Sequence, residues 1–351
     1  MNKSLLTLFC GILTLSMFAQ APIGGKHVYE FLNLSPSARV TGLGGNLITV
    51  KDDDVALAFQ NPSALNPSMS TQLSFNHNFH LAGINNGYVS YGQYVKKWDA
   101  TLHGGLQYIS YGTFDAADEY GNITGQFKAS EYAFVVGGAK QLYEKLSVGA
   151  NLKFITSQFE AYNSAGMAAD FAAFYQDTSG TFSLSLVMKN VGFQFSKYGE
   201  NSESLPFDLQ IGLSKRLKHL PLRFSVIYHN LHRWNILYDD PNSEEAPSFL
   251  GGVEQQTENS ASVFFDNLFR HLIFSAEFLL GKKENFRLRV AYNHFHKKEF
   301  SIDNYRSMAG FSLGFGFKIK QFRIEYGRNF YHYAGGLNHI SISTSITEFK
   351  R

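Results

Sequence analysis

Three consecutive carboxylates, Asp52, Asp53 and Asp54, form the densest group of chemistry-bearing side chains in the sequence, just ahead of the apolar run VALAF. A run of acids can ligate Ca²⁺, but an EF-hand loop needs alternating ligands and a closing Glu, which DDD does not supply. The other reading is structural: one aspartate caps a short helix, the others favour its positive end, and the prolines of NPSALNP, which includes Asn61 and Pro62, stop it. The nearby GLGG, holding Gly42, Gly44 and Gly45, lacks the G-x-G-x-x-G spacing and βαβ context of a phosphate-cradling loop. His294 and His296 share what reads as one strand face and could be two metal ligands, but no third is evident. By parity they continue the Tyr292 face to an outer rim as interfacial residues. No G-x-S-x-G, H-E-x-x-H or P-loop occurs, so the expectation is no catalytic residue, no metal and no cofactor. Scattered catalytic Asp, Ser and His at a barrel rim would escape a reading by sequence order.

The elements that must position these residues follow from composition. The N-terminus carries Lys3, an apolar run from Leu5 to Phe18, and then FAQAP, which reads as a secretory signal peptide over residues 1–19. That run is short for a membrane helix, which needs about 20 apolar residues. The single cysteine, Cys10, lies inside this leader, so the remaining chain has no thiol for a disulfide or a metal site. Formal charge is +2 at pH 7, which gives no reason to expect nucleic acid as a partner. With 33 Phe, 19 Tyr and 31 Gly, the chain is aromatic-rich and Gly-rich without a second helix-length apolar run. A transmembrane β-barrel has this composition, because each strand averages a lipid-facing row with a polar row.

Alternation bears this out along the chain. Phe311, Leu313, Phe315, Phe317 and Ile319 take one face while Gly310, Ser312, Gly314, Gly316 and Lys318 take the other; Phe286, Leu288, Val290 and Tyr292 likewise oppose Arg287, Arg289, Ala291 and Asn293. About fourteen such segments are read, beginning near residues 72, 85, 99, 128, 145, 164, 181, 206, 222, 270, 286, 306, 321 and 338. The predicted fold is all-β, a transmembrane antiparallel barrel of about 14 strands with an N-terminal, partly helical plug, its barrel spanning 71–351 and its plug segment 20–70. Connections after even segments are short, such as KKWD, QLYEK and GKKEN; long ones follow odd segments, at 112–127, 194–205, 233–269 and 297–305. A soluble β-sandwich also alternates, but its strands are shorter, about 5 to 6 residues, and its edges stay open. Lysines and arginines gather at the short turns and acids in the long connections, which suits either plain turn polarity or contact of the turns with anionic headgroups. Lumen-facing Arg287, Arg289, Arg323, Glu325, Asp170, Asp208 and Lys153 suit paired networks around a plug, or an open polar pore.

At these residues a resemblance becomes specific. SARVTGLGGN and KDDDVALAFQNPSALNP, with Arg39 in the first, resemble the N-terminal hatch of the FadL-like barrels, which include long-chain fatty-acid transporters and the secretion protein PorV. More narrowly, GGKHVYEFLNLSPSARVTGLGGN, YGTFDAADEYGNITGQFKASEY and FDNLFRHLIFSAEF are similar to the PorQ family of the type IX secretion system of Bacteroidota. The resemblance implies an outer-membrane, non-enzymatic attachment-complex subunit with its long connections facing the cell exterior. Its implied partners are proteins resembling PorU, PorV and PorZ, together with outer-membrane lipid and lipopolysaccharide. The FadL-like relatives imply an alternative, transport of hydrophobic small molecules. Under the resemblance, residues 24–70 fold inward and plug the lumen, the glycines allowing close backbone packing.

The connection 233–269 is far longer than an ordinary loop, and long structureless loops are usually functional or disordered. It carries Trp234, Tyr238 and Phe249, then SVFFDNLFRHL, where Val263, Phe264 and Leu268 fall at helical spacing with Phe265 and Phe269 beside them. Such a helix either docks a partner or folds back over the barrel mouth or onto the membrane interface.

Overall fold

The computed structural model describes residues 27–237, 260–281, 283–300, 307–332 and 335–350. Fourteen antiparallel strands run in chain order: β1 (Gln72–Phe79), β2 (Asn85–Val95), β3 (Ala100–Ala117), β4 (Ile123–Tyr143), β5 (Leu146–Phe159), β6 (Tyr162–Gln176), β7 (Phe182–Ser196), β8 (Asp208–Arg216), β9 (Leu222–Tyr228), β10 (Leu272–Leu280), β11 (Phe286–Asn293), β12 (Phe311–Ile319), β13 (Phe322–His332) and β14 (Gly335–Ser345). They close into a barrel in which β1 pairs with both β2 and β14, so that Phe75 faces Val89 on one side and Ile342 on the other. Closure leaves no sheet edge unpaired. Among the described residues no helix is long and apolar enough to cross a membrane.

Period-two patterning explains the two surfaces. In β12, Phe311, Leu313 and Phe315 are exposed on the outer face, while Ser312 is buried on the inner one. The same sorting puts Leu288 and Val290 of β11 outside and Arg287 and Arg289 inside. Exposed apolar side chains on a closed barrel are a lipid-facing band rather than a packing defect.

Every connection after an even-numbered strand is short, and the described parts of the long connections lie at the opposite end, as the parity predicts, but two segments differ from expectation. Residues 112–127 are mostly strand: β3 and β4 continue as a paired hairpin, with Phe114 stacked on Phe127 at 5.3 Å and a turn in which Asp118 accepts from the Tyr120 and Asn122 amides. Its glycines and acids read as a loop, whereas cross-strand pairing decides the backbone. Secondly, His294 and His296 do not continue strand β11. They begin helix α3 (His294–Glu299), because the Asn293 side chain accepts from the His296 amide and caps it; the other α-helices among the described residues are α1 (Ala38–Gly42) and α2 (Ser260–Arg270).

Residues 27–70 occupy the lumen. They fold as α1 and a chain of short 3-10 turns, Val55–Phe59, Pro62–Ala64 and Pro67–Met69, each opened by a side chain that accepts from the backbone two residues on: Asp54 from Ala56, Asn61 from Ser63 and Asn66 from Ser68. The two Asn-Pro pairs therefore start new turns as well as ending the previous one, since Pro suits the first helical position. Apolar hatch residues meet the few apolar positions of the inner wall, Phe31 and Leu32 with Ile109, Ala133 and Ile155, and Phe59 with Tyr88 at 5.0 Å.

Candidate functional site

The DDD run and Arg39 are brought together inside the barrel. Arg39 is fully buried and its guanidinium reaches Asp52 at 2.8 Å, Asp54 at 3.3 Å and Glu277 of β10 at 3.2 Å. Glu277 also meets Arg223 of β9 at 3.3 Å and Arg289 of β11 at 2.9 Å, and Arg289 reaches Glu325 of β13 at 2.7 Å. Arg323 pairs with Asp53 at 2.9 Å, and Arg287 lies 3.7 Å from Asp52. Five guanidinium groups (Arg39, Arg223, Arg287, Arg289, Arg323) thus face five carboxylates (Asp52, Asp53, Asp54, Glu277, Glu325). Charge balance is what makes such a cluster tolerable away from water, because an unpaired buried charge is costly. Asp52 and Asp53 therefore serve as counter-ions that fasten the hatch to the wall, Asp54 pairs with Arg39 inside the hatch, and among the described residues no group of three potential ligands has the arrangement of a metal site.

The three carboxylates differ in character. Burial alone would raise Asp52, but Arg39 and Arg287 hold it well below the ordinary range; Asp53 is half-buried, which works in the same direction, and is lowered by its hydrogen bond from Arg323. Burial pushes Asp54 up to about 6 against the pull of Arg39, with Glu325 and Asp52 adding repulsion.

Seating of the hatch depends on close backbone approach. α1 lies directly on the inner wall: a Cβ on Gly42 would sit 3.0 Å from the Gly314 Cα, and one on Gly327 would collide with the Ala38 carbonyl oxygen. Thr41 bonds His339 of β14 at 2.9 Å. Gly44 and Gly45 follow with φ of 89° and 90°, a left-handed pair that turns the chain out of α1. Across the lumen, Asn61 Nδ2 donates to the Ile48 carbonyl at 2.6 Å and to Ser185 Oγ at 2.9 Å, and Pro62 rests against Gly149, where a Cβ would come within 2.5 Å of the Pro62 carbonyl carbon.

A second buried pair lies in the opposite wall. Lys153 and Asp170, both fully buried, meet at 2.8 Å; Lys153 also donates to Asn190 Oδ1 at 2.8 Å and stands 4.7 Å over the Phe59 ring. The β6–β7 ladder shifts register between Ala169 and Phe171, and Asp170 accepts the Asn190 amide there at 2.9 Å. The carboxylate closes the break in the wall. Outside, an apolar recess of about 650 Å³ runs over β3 to β8, lined by Leu102, Ala150, Phe171 and Met188.

Above the hatch, toward the long connections, is a polar chamber of about 400 Å³ whose lining includes Lys189, Asp208, His229, Asn46 and His296. Separate recesses of about 360 and 180 Å³ lie at the short-turn end, by Lys51 and Asp52. His296 is thus not an interfacial girdle residue: helix α3 turns it inward, where burial, with His229 adding to the effect, pushes its imidazole down to about 3 and keeps it neutral. His294 instead bonds Asp266 of α2 at 3.0 Å.

The aromatic connection residues divide. Trp234 packs tilted against Phe264 at 5.2 Å and stacks on His271 at 5.7 Å, with its carbonyl accepting from Asn267 at 2.7 Å. Phe264 and Phe265 are exposed and Leu268 half-buried; Phe269 turns toward Phe274 on the lipid-facing side. Tyr238 and Phe249 lie outside the described residues, as does the leader. The motif reading did not single out Glu277, Arg223, Lys189 or His229. Strand parity places the first three on the inner face, so parity was a usable signal; His229 follows the end of β9 and carried none.

No known family model matches the chain, and no curated protein matches it by sequence. Solved structures do. The monoaromatic hydrocarbon channel CymD is 13% identical with a TM-score of 0.50, over 90% of this chain and 98% of that one. The Pseudomonas putida toluene transporter TodX is 12% identical with a TM-score of 0.46, over 88% and 96%, and a Pseudomonas aeruginosa FadL homologue is 10% identical with a TM-score of 0.45, over 89% and 98%. At these identities the likeness is one of fold. The chain is a closed 14-strand antiparallel barrel of the outer-membrane type.

Proposed function

We propose that the protein is a non-enzymatic outer-membrane subunit of a type IX secretion attachment complex, of the PorQ kind. In this reading its lumen is held shut and its long connections face the cell exterior, where they anchor proteins resembling PorU, PorV and PorZ while cargo is attached to lipopolysaccharide. The observation that carries it is the hatch clamp: a network of five guanidinium groups, three of them buried, and five carboxylates pairs the plug directly with β10, β11 and β13, which suits a rigid scaffold better than a conduit. The longer motif GGKHVYEFLNLSPSARVTGLGGN supports the same reading, whereas the hatch pattern within it is shared with the transporters. The partner surface centres on the exposed Trp234 and Phe264 pair, since binding energy concentrates in aromatics that become buried.

The second reading is a FadL-like transporter of hydrophobic small molecules, and the structural neighbours stand nearer to it, two of them being a toluene transporter and a monoaromatic hydrocarbon channel. Its structural support is the shifted β6–β7 register, a place where a wall could part beside the chamber. Native purification from outer membranes, with mass spectrometry of proteins and bound lipids, separates the two. Stoichiometric secretion partners without apolar ligand support the first reading; a retained hydrophobic ligand with no partner overturns it in favour of the second.

A further inference from the structure

The chamber above the hatch contains a cation whose cross-strand neighbour, the Asp208 carboxylate, does not close an ion pair with it. Lys189 is only 3% exposed, faces this cavity, and makes no hydrogen bond or ion pair among the described residues. Lys153, the other buried lysine of this wall, has both an ion pair and a hydrogen bond. Around Lys189, the Nε2 of His229, the Nδ1 of His296 and the Oδ1 of Asn46 are buried polar atoms that also lack partners. Buried polar groups are normally satisfied, and a cluster of unmet ones around a cavity is where a polar ligand gains most.

The lining narrows the chemistry. A hydrocarbon would strand these groups without water or partner, which costs free energy at each of them. A compact, highly charged anion would be drawn to Lys189 but repelled by the Asp208, Glu30 and Glu299 carboxylates that line the same cavity. One anionic group accompanied by several hydroxyls meets both conditions, because hydroxyls donate to carboxylates and exchange hydrogen bonds with neutral imidazoles. Phe295 and Tyr331 supply ring faces on the same cavity. We propose that this chamber is a binding site for a carboxylated saccharide of the hexuronate class, its carboxylate on Lys189 and its hydroxyls on His229, His296, Asn46 and Asp208. The proposal is independent of whether the barrel scaffolds secretion or transports.

The test is calorimetric titration of the full-length protein, refolded in detergent, with sodium glucuronate, glucose, inorganic phosphate and decanoate in turn. Saturable glucuronate binding is expected, with glucose and phosphate each weaker by about tenfold or more, since a charge-assisted contact is lost in one case and the hydroxyl contacts in the other. Lys189→Met should abolish glucuronate binding and Lys189→Arg retain it, with both variants checked as folded by heat-modifiable migration. His229→Phe, which keeps the ring and removes the nitrogens, should weaken binding without affecting migration, and so separates the site from the fold of the wall. No saturable glucuronate binding, phosphate or decanoate binding as tightly, or undiminished binding in a folded Lys189→Met protein would each overturn the assignment.

Discussion

Replacing Arg39 by Met tests the hatch clamp most directly, because it keeps length and apolar volume while deleting one charge from a balanced cluster. Arg39 is the sole ion-pair partner that Asp54 has among the described residues and the shortest one for Asp52, whereas Glu277 would keep Arg223 and Arg289. The change leaves four guanidinium groups against five carboxylates. Removing one partner of a buried pair costs about 3–5 kcal/mol, a large part of the roughly 5–15 kcal/mol by which a folded domain is stable. A barrel wall held by its own ladders need not unfold, so the loss should appear as release of the hatch. Protease digestion of detergent-refolded protein should cut within residues 27–70 in Arg39→Met and not in the parent, and planar bilayers should show conductance only for the variant. The double change Arg39→Met with Asp54→Asn restores four against four, and Asn keeps the oxygen that caps the Val55–Phe59 turn. It should recover much of the protection. Arg39→Met that is as protected and as silent as the parent would refute the clamp, and a double variant worse than the single would refute charge balance as its basis.

Gly327→Val should unseat α1, because the new side chain meets the Ala38 carbonyl oxygen; hatch proteolysis should rise although β13 itself gains a better strand former. Asp54 makes hatch stability fall as pH rises from about 3.9, its unfolded value, to about 6, since in that window the folded chain holds a proton that the unfolded chain has released. Urea midpoints measured from pH 4 to 7 should lose that decline in Asp54→Asn, whereas Asp52→Asn should remove stabilisation that is fully present above about pH 3.9 and lost at lower pH. Phe264→Ser with Leu268→Ser should leave the barrel in the outer membrane while copurification of partners falls; retained partners would move the docking surface elsewhere.

Strands, their number and the side each side chain faces were legible in the chain because period two is a local property: Phe311, Leu313 and Phe315 against Ser312 and Gly314 need no knowledge of any other strand. Parity also assigned Arg287, Arg289, Arg323, Glu325, Asp170 and Lys153 to the inner face, and with them the expectation of paired charges. Local chemistry went wrong where a longer-range partner decides the backbone, as in the β3–β4 hairpin, or where one cap switches strand to helix, as Asn293 does ahead of His294. What pairs with what was not legible. Arg39 and Glu277 are 238 residues apart, and the meeting of DDD with Arg39, Arg287 and Arg323 exists only once the barrel closes and α1 settles on Gly314 and Gly327. Lys189, His229 and His296 likewise come from three separate segments, and only closure of the wall around the hatch gathers them on one cavity. Alternation is written residue by residue along the chain, whereas a lumen is a shared space whose contents follow from register, curvature and the fit of one segment inside another.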